Sequence, residues 1–258
     1  MDKKHFTQAI TALKTYPARQ FKQGYEFIIN LRDLDLKKPE EQVELWIALP
    51  HDKGRATKVA ALIGPEMAEA AKVTCDLVIT HDQFAKYASD KKGIKKLARE
   101  YDYFIAQANI MPDVAKTFGR VFGPRGKMPN PKAGCVVPPN TNLKLLVDRL
   151  RKTVKVFAKT QPSIKVLVGK EGMPDDSVAE NMNAIYTTVL HKLPSELSNI
   201  RSVLLKLTMT PPVRITEEGV VKREPKKEAV AAETAPEAKT EKLKRAKKVK
   251  ETKADGAQ

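Results

Sequence analysis

Between residues 58 and 118 short apolar runs alternate with stretches of helical spacing, at 58–63, 65–72, 76–80, 82–88, 93–100, 103–108 and 112–118. Runs apolar on both sides belong in a sheet covered on both faces. The helical stretches between them are the crossovers that parallel strands require. Pro65 and Pro112 suit first helical turns, where a missing N–H costs nothing, and Thr141 is the expected cap of a last helix over 142–152. Residues 56–152 therefore read as a doubly wound α/β domain.

The flanks follow a different pattern. Phe6, Ala9, Ile10 and Leu13 fall on one face of a helix over 5–16, which ends before Pro17. Strands are predicted at 25–30 and at 43–49, where Val43, Leu45, Ile47 and Leu49 alternate with less apolar residues, and these two strands are expected to pair. One helix and a hairpin cannot close a core. The missing parts lie beyond the insert: strands at 153–158 and 163–168, then a helix over 175–193 with Val178, Met182, Ile185, Val189 and Leu193 on one side. A last strand runs from 199 to about 209, with Val203, Leu205, Leu207 and Met209 on one face and Ser202, Leu204, Lys206 and Thr208 on the other. The expected organisation is a discontinuous α+β domain from 1–55 and 153–216, with the α/β domain of 56–152 inserted and a hinge near Arg55 and Lys152. Residues 217–258 contain no aromatic residue and are rich in Lys, Ala and Glu, so they are expected to be a disordered tail.

The chain carries 47 Lys and Arg against 31 Asp and Glu, a formal charge of +16. This excess does not sit in the tail. Residues 56–152 hold 17 bases and 9 acids, while 217–258 hold 12 and 9, so the folded part itself is basic. That balance suits a polyanionic partner, nucleic acid ahead of an anionic membrane. The most basic stretch is 119–134, GRVFGPRGKMPNPKAG, where Arg120, Arg125, Lys127 and Lys132 stand among four glycines and three prolines without one acid. It is expected to form a rigid, shaped loop rather than a helix or strand.

Catalytic patterns fail. Gly126-Lys127 lacks the earlier glycine and the following hydroxyl of a phosphate loop, since Val121 and Met128 occupy those places. No dinucleotide fingerprint follows the first strand of the insert, and His5, His51, His81 and His191 have no metal-ligand spacing. Cys75 and Cys135 form no C-x-x-C pair and are expected to be buried thiols. Neither a cofactor nor a metal is expected. The N-terminus lacks a signal-peptide core and no run is long enough to span a membrane, so a cytoplasmic protein without membrane partners is expected.

Four stretches carry a resemblance. GPRGKMPNPKAG at 123–134 is similar to the signature of the L-one family of large-subunit ribosomal proteins, in the form shared by bacteria and archaea and most like archaeal members. RQFKQ at 19–23 resembles the family's approach to its first strand, VELWIALPH at 43–51 its strand ending in L-P-H-G, and SVLLKLTMTPPVRI at 202–215 its closing S-V-x-x-x-x-T-M-G-P-x-V. The likeness implies a two-lobed fold with a mobile, Rossmann-like three-layer insert. It also implies a structural, noncatalytic protein, monomeric when free, that binds the rRNA of a mobile stalk beside the tRNA exit site. Further implied partners are exit-site tRNA, other ribosomal components and the protein's own mRNA, whose translation many members repress. RNA contacts are implied at Arg19, Gln20, Phe21, Lys22, Ser202, Lys206, Thr208, Met209 and Thr210. Arg120, Arg125, Lys127 and Lys132 are candidates for a secondary RNA or tRNA contact. The chain departs from the family at Gln20, Gly24, Asp52 and Thr210, the last replacing a glycine that would let backbone approach RNA. Two alternatives stand beside this reading: a free RNA-binding repressor and a nucleotide-using α/β enzyme.

Overall fold

The computed structural model describes residues 1–38, 41–139, 141–216 and 219–222. In chain order, α1 (Lys3–Lys14) leads to β1 (Gly24–Leu31), β2 (Val43–Ala48) and β3 (Val59–Ile63). There follow α2 (Ala68–Thr74), β4 (Leu77–Thr80), α3 (Phe84–Ser89), α4 (Lys91–Glu100), β5 (Tyr103–Gln107), α5 (Met111–Phe122), β6 (Val136–Val137) and α6 (Leu143–Lys152). The chain continues through β7 (Thr153–Ala158), β8 (Ser163–Lys170), α7 (Asp175–Lys192), β9 (Ile200–Leu207), β10 (Val213–Thr216) and β11 (Gly219–Lys222). It is a mixed α/β protein.

Every residue of β3 is buried, as a strand covered on both faces must be. It lies inside a parallel sheet of order β4-β3-β5-β6, and alternate residues feed two separate cores. Val59, Ala61 and Ile63 pack with Ala71 of α2 and Leu143, Val147 and Leu150 of α6. Ala60 and Leu62 pack with Phe84, Ile94, Val114, Phe118 and Phe122 from α3, α4 and α5. The period of two in the strand thus makes three layers from one apolar run.

A third core joins residues from both ends of the chain. Phe6, Ala9, Ile10 and Leu13 of α1 and Val178, Met182, Ile185 and Val189 of α7 pack on Phe27, Ile29, Ile164, Val166, Val203 and Leu205. Those strand residues share one face of an antiparallel sheet of order β11-β10-β9-β1-β8. Ion pairs tie the two helices, Lys14 to Asp175 at 2.6 Å and Lys3 to Glu180 at 2.8 Å.

Several expectations are corrected. The strands β1 and β2 do not pair: β8 and β9 occupy both edges of β1, and β2 pairs with β7 from Val43 opposite Ala158 to Ala48 opposite Thr153. The loop expected over 119–134 begins later, because Phe118 and Phe122 are one helical turn apart, stack at 5.3 Å and carry α5 through Phe122. Within that loop Pro131–Ala133 makes a single turn of 3-10 helix, and Val136–Val137 form a strand that so short a run did not announce. Asn142, not Thr141, caps α6 by accepting from Lys144 N–H at 3.1 Å. Cys135 is buried but Cys75 only half so.

The last predicted strand is also divided. It stops at Leu207, and Thr210 N–H closes a turn on Leu207 O at 3.1 Å, which carries Met209 out of the core. Part of the chain expected as tail is a strand: β11, from Gly219 to Lys222, pairs with β10, with Gly219 opposite Thr216. The rest of the tail expected over 217–258, residues 217–218 and 223–258, lies outside the described residues.

Candidate nucleic-acid interface

The geometry starts from one register. Antiparallel pairing sets Tyr25 of β1 opposite Leu207 of β9, so the residues just outside the ladder, Gly24 and Thr208, lie side by side. Gly24 N–H donates to Thr208 Oγ1 at 3.2 Å. Next to them Gln23, 1% exposed, joins three strand ends. Its Oε1 accepts from Met209 N–H at 3.0 Å, its own N–H donates to Glu171 Oε2 at 2.8 Å, and its carbonyl accepts from Glu171 N–H at 2.8 Å.

This buried amide holds the 19–22 segment and the 208–210 turn at the same end of the sheet. Arg19, Gln20, Phe21 and Lys22 are all exposed. Phe21 keeps 52% and Met209 60% of their surface open. A large aromatic ring and a thioether stand exposed, with Arg19 and Lys22 beside the ring in sequence, the arrangement that base stacking and phosphate contacts call for. Thr210 holds the turn together, since its Oγ1 accepts from Leu207 N–H at 3.0 Å, and its φ is not positive, so the turn does not require glycine.

The sheet face opposite the helices is open and half polar. Glu26, Ile28 and Asn30 of β1 stand beside Lys206, Leu204 and Ser202 of β9, with exposed Lys165 and Arg214 in the flanking strands. Lys206 Nζ lies 3.1 Å from Glu26 Oε2, and Ser202 Oγ accepts from Asn30 Nδ2 at 2.9 Å. Ser202 is six residues from Thr208, roughly 20 Å along a strand. The structure therefore gathers Arg19, Gln20, Phe21, Lys22, Lys206, Thr208, Met209 and Thr210 at one end and leaves Ser202 at the other. Sequence reasoning did not single out Gln23, Lys165 or Arg214. The signal for Gln23 was a polar residue immediately before a buried strand, which is ambiguous until its partners are known.

The basic loop is separate. Arg120 is exposed in the last turn of α5, and Lys132 is exposed in the turn that Asn130 caps by accepting from Lys132 N–H at 2.9 Å. Arg125 donates to Lys95 O at 3.0 Å. Lys127 is half-buried and donates to Tyr101 O, and burial draws its pKa below the usual lysine range. Gly126 and Gly134 hold φ +62° and +74°, so here glycine is a requirement of the turns.

The match to known proteins covers both regions. The ribosomal protein L1p/L10e family model matches residues 13–211. The large ribosomal subunit protein uL1 of Methanothermococcus thermolithotrophicus is 41% identical over 216 residues, 83% of this chain and 99% of that one. Its counterpart in Methanocaldococcus jannaschii is 36% identical over 224 residues, 86% of this chain and 100% of that one. In Thermofilum pendens the figures are 41% over 206 residues, 79% and 88%. With an uninterrupted match across the end of α1, every later helix and the 208–210 turn, the chain belongs to the ribosomal protein L1p/L10e family.

Proposed function

We propose that this chain is a structural, noncatalytic constituent of the large ribosomal subunit that binds the rRNA of the mobile stalk beside the tRNA exit site. The observation that carries the proposal is the pair of exposed side chains, Phe21 and Met209, fixed at one sheet end by a buried glutamine. Irregular RNA is recognised by shape, by stacking of unpaired bases on aromatic rings and by contacts to phosphate and 2′-OH groups. Phe21 offers the ring, Arg19 and Lys22 the charge, and Thr208 and Lys206 polar atoms at the rim. Family membership and the relatives' printed names support the subunit assignment.

In this reading residues 1–55 and 153–216 grip the stalk, while 56–152 form a lobe that moves with it and meets exit-site tRNA through Arg120, Arg125 and Lys132. A stalk-like fold in the protein's own mRNA presents the same shape, so binding there represses translation. Crosslinking in assembled large subunits is the test. Crosslinks are expected from 19–22 and 208–210 to stalk rRNA. Crosslinks confined to 119–134 would overturn the assignment of the grip.

A further inference from the structure

A cleft of about 300 Å³ is lined by residues of β2, β7 and the start of β5, together with the loop after α5. Its lining includes Lys53, Arg55, Arg125, Lys127 and Lys155 with one lining carboxylate, Asp102, while Glu44, just outside the lining, pairs with Lys155 at 3.2 Å and with Lys159 at 2.8 Å. Asp102 is already paired with Arg55 at 3.4 Å. Lys53 donates to the neutral carbonyl of Thr153 at 2.8 Å and Lys127 to that of Tyr101. Burial depresses the pKa of both lysines, the mark of ammonium groups that have lost water without gaining enough negative charge.

Trp46 and Tyr103 belong to the aromatic part of the cleft. Trp46 Nε1 is buried and, among the described residues, has no hydrogen-bond partner. Lys155 Nζ lies 5.2 Å from the centre of the Trp46 ring, and the Tyr103 ring is 6.0 Å away. The opposite wall comes close: a Cβ at Gly126 would stand 3.7 Å from Lys155 Nζ.

We propose that this cleft binds a phosphate-bearing anion, gripped by Arg125 and Lys127 from the loop and by Lys53 and Lys155 from the opposing wall. The cations supply the charge-assisted bonds that phosphoryl oxygens take. The two aromatic rings leave room for a base beside the phosphate, so the ligand is either a free phosphate ester or a nucleotide. None of this depends on the sheet-end grip, which uses other residues.

Trp46 is the single tryptophan of the chain, so its fluorescence reports on the cleft directly. The full chain is titrated with inorganic pyrophosphate at constant ionic strength, with sodium chloride as control and uridine 5′-monophosphate as a second arm. A saturable emission change with pyrophosphate and none with chloride is expected. Replacing one cation from each wall, Arg125→Gln with Lys155→Gln, is expected to raise half-saturation roughly tenfold or more, the loss of at least one charge-assisted bond. Tighter binding of the nucleotide identifies a base subsite, and equal or weaker binding identifies the phosphate alone. A response that chloride reproduces, or an unchanged half-saturation in a variant with native circular dichroism, overturns the proposal. Arg125→Gln alone, at an exposed position, serves if the double variant does not fold.

Discussion

Replacing Phe21 with alanine separates binding from folding more cleanly than any other change at the sheet end. The ring keeps 52% of its surface exposed, so truncation removes no more than about half the burial that makes a core Phe worth about 1.5–3 kcal/mol, roughly 1 kcal/mol. Its neighbours are held by backbone bonds and by the Gln23 amide, none of which involve the ring. Stacking of one unpaired base on such a ring is worth about 1–3 kcal/mol, so affinity for stalk RNA should fall roughly 5- to 150-fold. Fluorescence anisotropy with a labelled stalk fragment reads the affinity, and thermal unfolding of the same preparation reads the fold. The salt dependence gives an internal control, because removing a ring leaves the number of neutralised phosphates unchanged while Lys22→Gln reduces it. A Phe21→Ala protein with native unfolding and less than a twofold loss of affinity refutes the stacking argument. A changed salt slope would show that Phe21 acts by positioning cations instead.

Three other changes probe the scaffold. Glu180 accepts from Lys3 and lies 2.6 Å from His51, and these partners hold its carboxyl below the usual range, so its contribution is present above the ordinary glutamate pKa and fades as pH falls through the lowered one. Melting temperatures of the wild type and Glu180→Gln should therefore differ at neutral pH and converge in acid; a constant gap would exclude the linkage. Gly54 sits at φ +68°, where a Cβ would meet Met173 Sδ at 2.9 Å and Lys170 Cβ at 3.1 Å, whereas at Gly134, φ +74°, nothing lies within 4 Å. Gly134→Ala should cost about 1–2 kcal/mol for the left-handed backbone alone and Gly54→Ala measurably more, by chemical denaturation; equal losses would mean the crowding at Gly54 relaxes freely. Finally, burial pushes the Cys135 thiol up to about 11 and also raises Cys75, but Cys75 is only half-buried while Cys135 is buried, so iodoacetamide at pH 8 should label Cys75 first and Cys135 only in denaturant, as peptide mass mapping would show.

The parts of the fold legible in the sequence were those written as periodicity. Val59–Ile63 declares a strand buried on both faces, and α7 carries its apolar stripe at Val178, Met182, Ile185 and Val189. Pairing was not legible, because a strand's pattern gives its inner face and not its neighbour. Nothing in Val43–Ala48 distinguishes β7 as a partner from β1, and only the filled edges of β1 decide. At the candidate site Phe21 and Thr208 were reachable through resemblance, but Gln23 was not. Its role depends on two partners distant in sequence, Met209 and Glu171, which no local pattern encodes.

The departures from the family's pattern become intelligible once they are read together. Gly24 brings no hydroxyl to the start of β1, yet its N–H is met by Thr208 Oγ1 from across the ladder. A side chain at 24 would also have to displace Leu167, whose Cδ1 lies 2.5 Å from the place of a Cβ, so glycine here makes room for a larger neighbour. Thr210 gives up whatever close approach a glycine would allow but closes the turn from within, accepting from Leu207 N–H. Both changes move polar work from a potential ligand to the protein's own backbone. A turn held by its own hydroxyls is more rigid before it meets RNA, and a preformed surface loses less entropy on binding than one that must be ordered. In the function proposed above, recognition at this end of the sheet falls chiefly to the exposed Phe21 ring, Met209 and the cations Arg19 and Lys22, with Thr208 bracing the turn as well as offering its rim oxygen.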